Sequence, residues 1–266
     1  KDPVGKIWEL ADPVVSPAYT PGLEGTPNEL KLKYLADNDF AHLSGDELKE
    51  AIKGEIFITG NTVIDAMKTT VREDYRFSTE ILNELDFENR RVIVLTCHRR
   101  ENYGKPMHDI LSAVRKLVEA HPEIEVVYPV HLSPAVRQCA QEELGGIDRV
   151  HLIDPVDVEE MHNLMARCYF VMTDSGGLQE EAPAMGKPVL VLRKETERPE
   201  AVAAGTVKLA GVEHEEVLRL ATELLEDPAL YARMAHAVNP YGDGEACGRI
   251  ADAIEWYFRL REDKPA

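Results

Sequence analysis

The residues best suited to chemistry lie in T-D-S-G-G-L-Q-E-E-A (173–182), set between apolar runs at 169–172 and 189–192. An apolar run, a glycine turn, a short helical segment ended by Gly186 and a second apolar run read as strand, turn, helix, strand. Such a turn leaves the first backbone N–H groups of the helix open. With the positive end of the helix dipole, those donors favour phosphate. Gly176 and Gly177 carry no Cβ to hold a ligand away, and Ser175 adds a hydroxyl donor. Glu181 sits one turn down, where its carboxylate could accept from ribose hydroxyls. The stretch fits neither G-x-G-x-x-G nor G-x-x-x-x-G-K-[ST]. Alone it reads equally as a nucleotide site or as a capped helix after a strand.

More polar groups stand just after apolar runs: His98-Arg99-Arg100-Glu101-Asn102 after 92–95, His131 after 124–130, and Arg198, which follows the run 189–192. The chain has 30 basic and 48 acidic residues, a formal net charge of −18. That balance argues against a bulk electrostatic grip on nucleic acid or anionic lipid. An anion must be held by local groups, and Arg99, Arg100, Arg198 and the 175–177 amides form such a set. A diphosphate suits it better than a carboxylate, because it can engage arginines and helix amides together. Beside two arginines, His98 reads as part of that site and away from any carboxylate able to raise its basicity. The plainer alternatives are a solvated Arg99–Arg100 pair, an acidic face around Arg198, and a 239–244 turn that only caps the last helix.

The elements that must position these groups follow from periodicity. Short apolar runs at 56–59, 92–95, 124–130, 150–153, 169–172, 189–192 and 206–210 read as strands. Between them lie helical patterns, including one after Lys105-Pro106 with Ile110, Val114, Leu117 and Val118 on one face and one at 158–167. Three helices finish the chain, at about 214–225, 228–237 and 245–260. Alternating strands and helices predict an α/β fold: a Rossmann-like parallel sheet of about six strands with helices on both faces. In such a sheet the polar clusters share the rim at the carboxyl ends of the strands. Residues 1–54 are less regular, with prolines 3, 13, 17, 21 and 27, a possible strand at 4–10 and helices at 28–36 and 45–52. The expected division is a remnant of, or link to, another domain at 1–54, a nucleotide-binding domain at 55–244, and a C-terminal helix at 245–266. Trp256, Tyr257 and Phe258 suit that helix to another half or a partner chain.

The 266 residues are 44% hydrophobic, enough for a real core. Cys97, Cys139, Cys168 and Cys247 are widely spaced without C-x-x-C, which argues against zinc and suits a reducing cytoplasm. No apolar run reaches the roughly 20 residues of a membrane span, so neither a membrane nor a metal is expected.

Several blocks together resemble the non-hydrolysing UDP-N-acetylglucosamine 2-epimerases: I-T-G-N-T-V-I-D-A (58–66), H-R-R-E-N (98–102), H-L-S-P-A-V-R (131–137), T-D-S-G-G-L-Q-E-E-A-P-A-M-G-K-P-V-L-V-L-R (173–193), T-E-R-P-E-A-V-A-A-G-T-V (196–207) and N-P-Y-G-D-G (239–244). The resemblance covers about 55–260 and implies one half of a GT-B fold, with UDP and a UDP-N-acetylhexosamine as ligands, no cofactor, and a homodimer. It implies that Ser175, Gly176 and Gly177 hold the diphosphate, Glu181 the ribose, and Arg198 and His98 the phosphates near the sugar. Arg99 and His131 match positions for a second, activating UDP-N-acetylglucosamine. The implied reaction interconverts UDP-GlcNAc and UDP-ManNAc by loss and re-addition of UDP, with His98 acting on the leaving UDP rather than on sugar C2. Before residue 55 the likeness fades. The family's E-A-G-L-R block is only echoed at 21–24, and Glu29 is a weak match to one acidic position. Most of the N-terminal half, with most of the proton-transfer carboxylates, is therefore expected to be missing. The alternatives are a UDP-sugar binding module without turnover and a GT-B glycosyltransferase.

Overall fold

The computed structural model describes residues 57–265. The readings at 4–10, 21–24, 28–36 and 45–52, and Glu29, lie outside the described residues. The described residues divide into two units: Asn61–Gly244, and the residues before Asn61 together with those after Gly244.

The larger unit opens with helices α1 (Thr62–Thr70) and α2 (Glu80–Glu84). It then alternates β1 (Arg91–Thr96), α3 (Lys105–Ala120), β2 (Ile124–Pro129), α4 (Pro134–Leu144), β3 (Val150–Ile153), α5 (Val158–Arg167), β4 (Phe170–Thr173), α6 (Gly176–Ala184), β5 (Val189–Val191), α7 (Pro199–Ala204) and β6 (Val207–Leu209). Helices α8 (His214–Glu226) and α9 (Pro228–Ala235) close it. The six strands pair in the order β3-β2-β1-β4-β5-β6, all parallel.

Alternation along each strand sends side chains to opposite faces. Ile93, Leu95, Val126, Tyr128, Phe170, Met172 and Leu190 pack with α3, α4, α8 and α9 residues such as Leu117, Val136, Leu220 and Leu230. Val92, Val94, Val127, Val171, Val189 and Val191 pack with Leu82, Leu164, Ala182 and Ala201 from α2, α5, α6 and α7. Both faces are covered, so the strands are continuous apolar runs. Asn61 caps α1 by accepting from Val63 N at 3.0 Å, and Asp157 caps α5 by accepting from Glu160 N at 2.8 Å. Among the described residues no helix is long and apolar enough to cross a membrane.

Three features differ from the sequence expectation. The strand expected at 56–59 is absent from its described residues: Phe57, Ile58 and Thr59 have no strand pairing, and Ile58 is 78% exposed. So short an apolar run has no periodicity to separate strand from loop, and Asn61 N instead donates to Tyr241 O at 2.7 Å as the chain enters α1. Helix α2 is unexpected; its one buried residue, Leu82, leaves almost no periodic signal. The last helix, α10 (Ala246–Tyr257), stops short of residue 260. Arg259 turns to a φ of 60° just after it. Within the smaller unit Trp256 meets Phe57 edge-on, with ring centroids 5.8 Å apart.

Ile93 is fully buried at the centre of the sheet. Ile93→Ala should lower the unfolding free energy by about 2–5 kcal/mol, read from the urea midpoint at unchanged slope. Ile58→Ala should stay within about 0.5 kcal/mol of the parent.

Candidate functional site

Strand order reverses beside β1, which has β2 on one side and β4 on the other. Ligands of open parallel sheets sit outside the strand ends at such a point. The ends of β1 and β4 are joined by the Thr96 and Thr173 hydroxyls, 2.6 Å apart. Thr173 Oγ1 also accepts from Ser175 N at 2.9 Å, which sets the turn that follows.

Asp174 is the centre of this rim and is fully buried. Its Oδ2 accepts from His98 N at 2.8 Å, Arg99 N at 2.7 Å and Asn102 Nδ2 at 3.0 Å. Asn102 Nδ2 also donates to Leu192 O at 3.1 Å, which adds the end of β5. Asp174 Oδ1 lies 3.2 Å from His98 Nδ1, within ion-pair range, and makes no hydrogen bond. This overturns the expectation that His98 stands away from any carboxylate. The partner lies 76 residues on and is brought in by the pairing of β1 with β4. A carboxylate at Nδ1 orients the ring and leaves Nε2 as the outward nitrogen.

Ser175 is the N-cap of α6, its side chain makes no capping bond, and no acidic residue lies in the first turn. The first-turn amides therefore face the rim. The glycines have a more specific reason than ligand access. A Cβ at Gly176 would stand 3.0 Å from Glu197 Oε1 and 3.7 Å from Arg99 Nη2, and one at Gly177 would stand 3.3 Å from Glu181 Oε1. The space is taken by the rim's own charged groups.

Those groups form a connected set. Arg99 Nη2 donates to Glu197 Oε1 at 3.1 Å, and its Nε donates to Asp174 O at 3.2 Å. Arg193 bonds the other oxygen of Glu197 and also reaches Glu101 at 2.8 Å. Partial burial opposes ionisation of Glu197, but a backbone N–H, Arg193 and Arg99 outweigh it and hold its carboxyl below the usual glutamate range. Arg198 Nε bonds Glu180, whose other oxygen takes the Asn61 amide. Gln179 accepts from Thr196 Oγ1 at 2.7 Å and donates to Ser175 O at 3.1 Å, fixing the 193–198 segment to α6.

His131 stacks on His98, with ring centroids 5.5 Å apart and planes 12° apart. Its Nδ1 accepts from Ser133 N at 3.1 Å. Contacts thus join His98, Arg99, His131, Ser175 and Gly176 around Asp174. Arg198 is tied to the same rim through Glu180 and through a 3.3 Å bond to Glu197 O. Glu181 turns toward His162, with Oε2 3.4 Å from Nε2. Arg100 is exposed and opens a 3-10 turn, Arg100–Asn102, instead. Reading by residue type saw Asp174, Asn102, Glu180 and Glu197 only as members of polar blocks, without a role, and missed His162. For Asp174 the available signal was an acidic residue between a buried strand and a glycine turn.

A family profile described as UDP-N-acetylglucosamine 2-epimerase matches residues 46–255. The Bacillus subtilis UDP-N-acetylglucosamine 2-epimerase is 51% identical over 219 residues, which are 82% of this chain and 57% of that protein. The Escherichia coli K12 enzyme of the same name is 45% identical over 75% of this chain and 54% of its own length. The chain therefore spans little more than half the length of these relatives. Among solved structures, Staphylococcus aureus MnaA with UDP superposes with a TM-score of 0.79 at 42% identity, covering 93% of this chain and 68% of that one. The Neisseria meningitidis UDP-GlcNAc 2-epimerase bound to UDP-GlcNAc gives 0.70 at 38% identity, covering 87% and 60%.

Asp174→Ala would strand the N–H groups of His98 and Arg99 and the Asn102 amide. At about 1–3 kcal/mol for a buried donor left unsatisfied, the unfolding free energy should fall by about 2–5 kcal/mol, measured by urea denaturation. Asp174→Asn, which keeps one acceptor oxygen, should cost less.

Proposed function

The chain belongs to the UDP-N-acetylglucosamine 2-epimerase family, and from that premise we propose that residues 61–244 form its UDP-holding half. The observation that carries the proposal is the gathering of phosphate-binding group types at one strand-end rim, on a chain of net charge −18. The uncapped first turn of α6, Arg99 and His98 converge on one strand-end rim, and Arg198 is bonded to α6 beside them. In this reading the Ser175, Gly176 and Gly177 turn receives the diphosphate. Glu181 accepts from the ribose, and Arg198 and His98 meet the phosphate nearest the sugar. His131 and Arg99 contact a second, activating UDP-N-acetylglucosamine. Because Arg99 already lies against Gly176, it would link that second ligand to the diphosphate turn.

The proposed reaction is the non-hydrolysing interconversion of UDP-GlcNAc and UDP-ManNAc. Removal of the C2 proton accompanies cleavage of the bond from C1 to UDP, and a glycal forms. Return of UDP to C1 and of a proton to the opposite face of C2 completes the inversion. Departing UDP gains negative charge, which the α6 amides, Arg198 and, with the His98 ring protonated at both nitrogens, its Nε2–H would stabilise. Asp174 at Nδ1 keeps that nitrogen aimed outward. We assign transfer at C2 to groups outside residues 61–244, in keeping with a family resemblance that places the proton-transfer block before residue 55. Binding of UDP-sugar without turnover is therefore the second reading. We place the protein in the cytoplasm, in keeping with the buried thiols of Cys97, Cys139 and Cys168, and as a homodimer, in keeping with the half-exposed Phe258 just after α10.

With UDP-N-acetylglucosamine in deuterium oxide, proton NMR should show UDP-N-acetylmannosamine with deuterium at C2. UDP binding with neither change would leave the binding reading. Arg198→Ala should weaken UDP by about 1.5–3 kcal/mol, roughly 10- to 150-fold, by calorimetry. Unchanged affinity would remove Arg198 from the site.

A further inference from the structure

Helix α5 carries a histidine that neither the sequence reading nor the anion site uses. His162 is 1% exposed and lies between α1 and α6. Its Nδ1 stands 2.8 Å from Thr70 Oγ1, at the end of α1. Its Nε2 stands 3.4 Å from Glu181 Oε2, within ion-pair range, and makes no hydrogen bond. The surroundings are firm: Asn163 Nδ2 donates to Thr70 O at 2.7 Å, and Arg72 N donates to Asn163 Oδ1 at 2.9 Å. These bonds tie α5 to the end of α1 through the residue next to the histidine.

A buried ring nitrogen facing a carboxylate carries its hydrogen, because a bare lone pair there would meet the carboxylate's charge. In the neutral ring, Nδ1 then accepts from the Thr70 hydroxyl. Thr70 Oγ1 also lies 3.3 Å from Ala66 O, a longer contact than the one to the ring. Either charge state presents Nε2–H to Glu181. Glu181 is otherwise a carboxylate on the first turns of α6, with Oε1 leaning toward Gly177. Its neighbour Glu180 is fixed by Asn61 and Arg198, so the two adjacent carboxylates are held by separate partners.

We propose that His162 is a positioning residue for nucleotide recognition: its Nε2–H holds one oxygen of Glu181, so that the other meets the ribose hydroxyls of a nucleoside diphosphate. The proposal rests on the assignment of Glu181 to the ribose. It requires no contact between His162 and the ligand, and its effect should be confined to the ribose hydroxyls.

Calorimetry with UDP and 2′,3′-dideoxy-UDP on the full chain tests both layers. The parent should prefer UDP by about tenfold or more, the scale of hydroxyls bonded to a charged acceptor. Glu181→Ala should bring that ratio toward one. His162→Asn keeps a polar atom near Nδ1 but removes the one facing Glu181. It should cut the ratio at least about fivefold while leaving dideoxy-UDP affinity within about twofold. His162→Gln, whose amide nitrogen can reach the Nε2 position, should retain most of the preference. Thr70→Val, which leaves the histidine in place, should cut the ratio in the same direction. If His162→Asn weakens both ligands equally, or leaves the ratio intact while Glu181→Ala abolishes it, the inference is wrong and the ribose assignment stands. If the parent shows no preference, or does not bind UDP, the ribose assignment falls and the inference with it.

Discussion

The carboxylate of Asp174 is placed where a charge is costly, at the fully buried junction of two parallel strands. A buried anion is tolerated only when hydrogen bonds replace the water it has lost. Here the His98 and Arg99 amides and the Asn102 side chain do so at 2.7–3.0 Å. The same bonds dictate the path of the chain after β1. The loop cannot leave the sheet until it has turned back over the end of β4, and that turn lays His98 and Arg99 beside the start of α6. One buried charge thereby sets the positions of several groups of the proposed UDP site.

Around that centre the cations are held by acids, and the arrangement has a physical logic. Arginine side chains lose considerable rotamer freedom when ordered. Glu197 restrains Arg99 and Arg193, while Glu180 restrains Arg198, so much of that loss is incurred on folding. The acids also temper the field these cations present on a strongly acidic protein. The glycines at 176 and 177 belong to this arrangement, since a side chain at 176 would displace Glu197 and one at 177 would crowd Glu181.

The topology adds a constraint of its own. All six strands are parallel, so every strand-to-helix turn opens on one rim, and the order reverses beside β1, where open parallel sheets take their ligands. Groups from sequence positions near 98, 131, 175 and 198 share that rim although most are far apart in the chain. The helices on the two faces, packed on clusters centred at Ile93 and Val94, hold the strand ends still.

Much of this was legible in the sequence for a simple reason. A buried parallel strand must be apolar along its length and a helix covering it must be amphipathic, so the order of most elements follows from periodicity. The glycine turn, the histidine–arginine cluster and Arg198 were visible because their residue types serve few purposes at strand ends. Where periodicity is weak the reading failed: 57–59 is not a strand, and α2 has only Leu82 to announce it. What the tertiary structure alone decided were pairings across long separations. Asp174 with His98, Glu180 with Arg198 and Asn61, and His162 with Glu181 and Thr70 arise because strand pairing and helix packing bring distant residues together. A sequence shows that such groups exist, but the partner of a buried charge is chosen by whichever element packs against it.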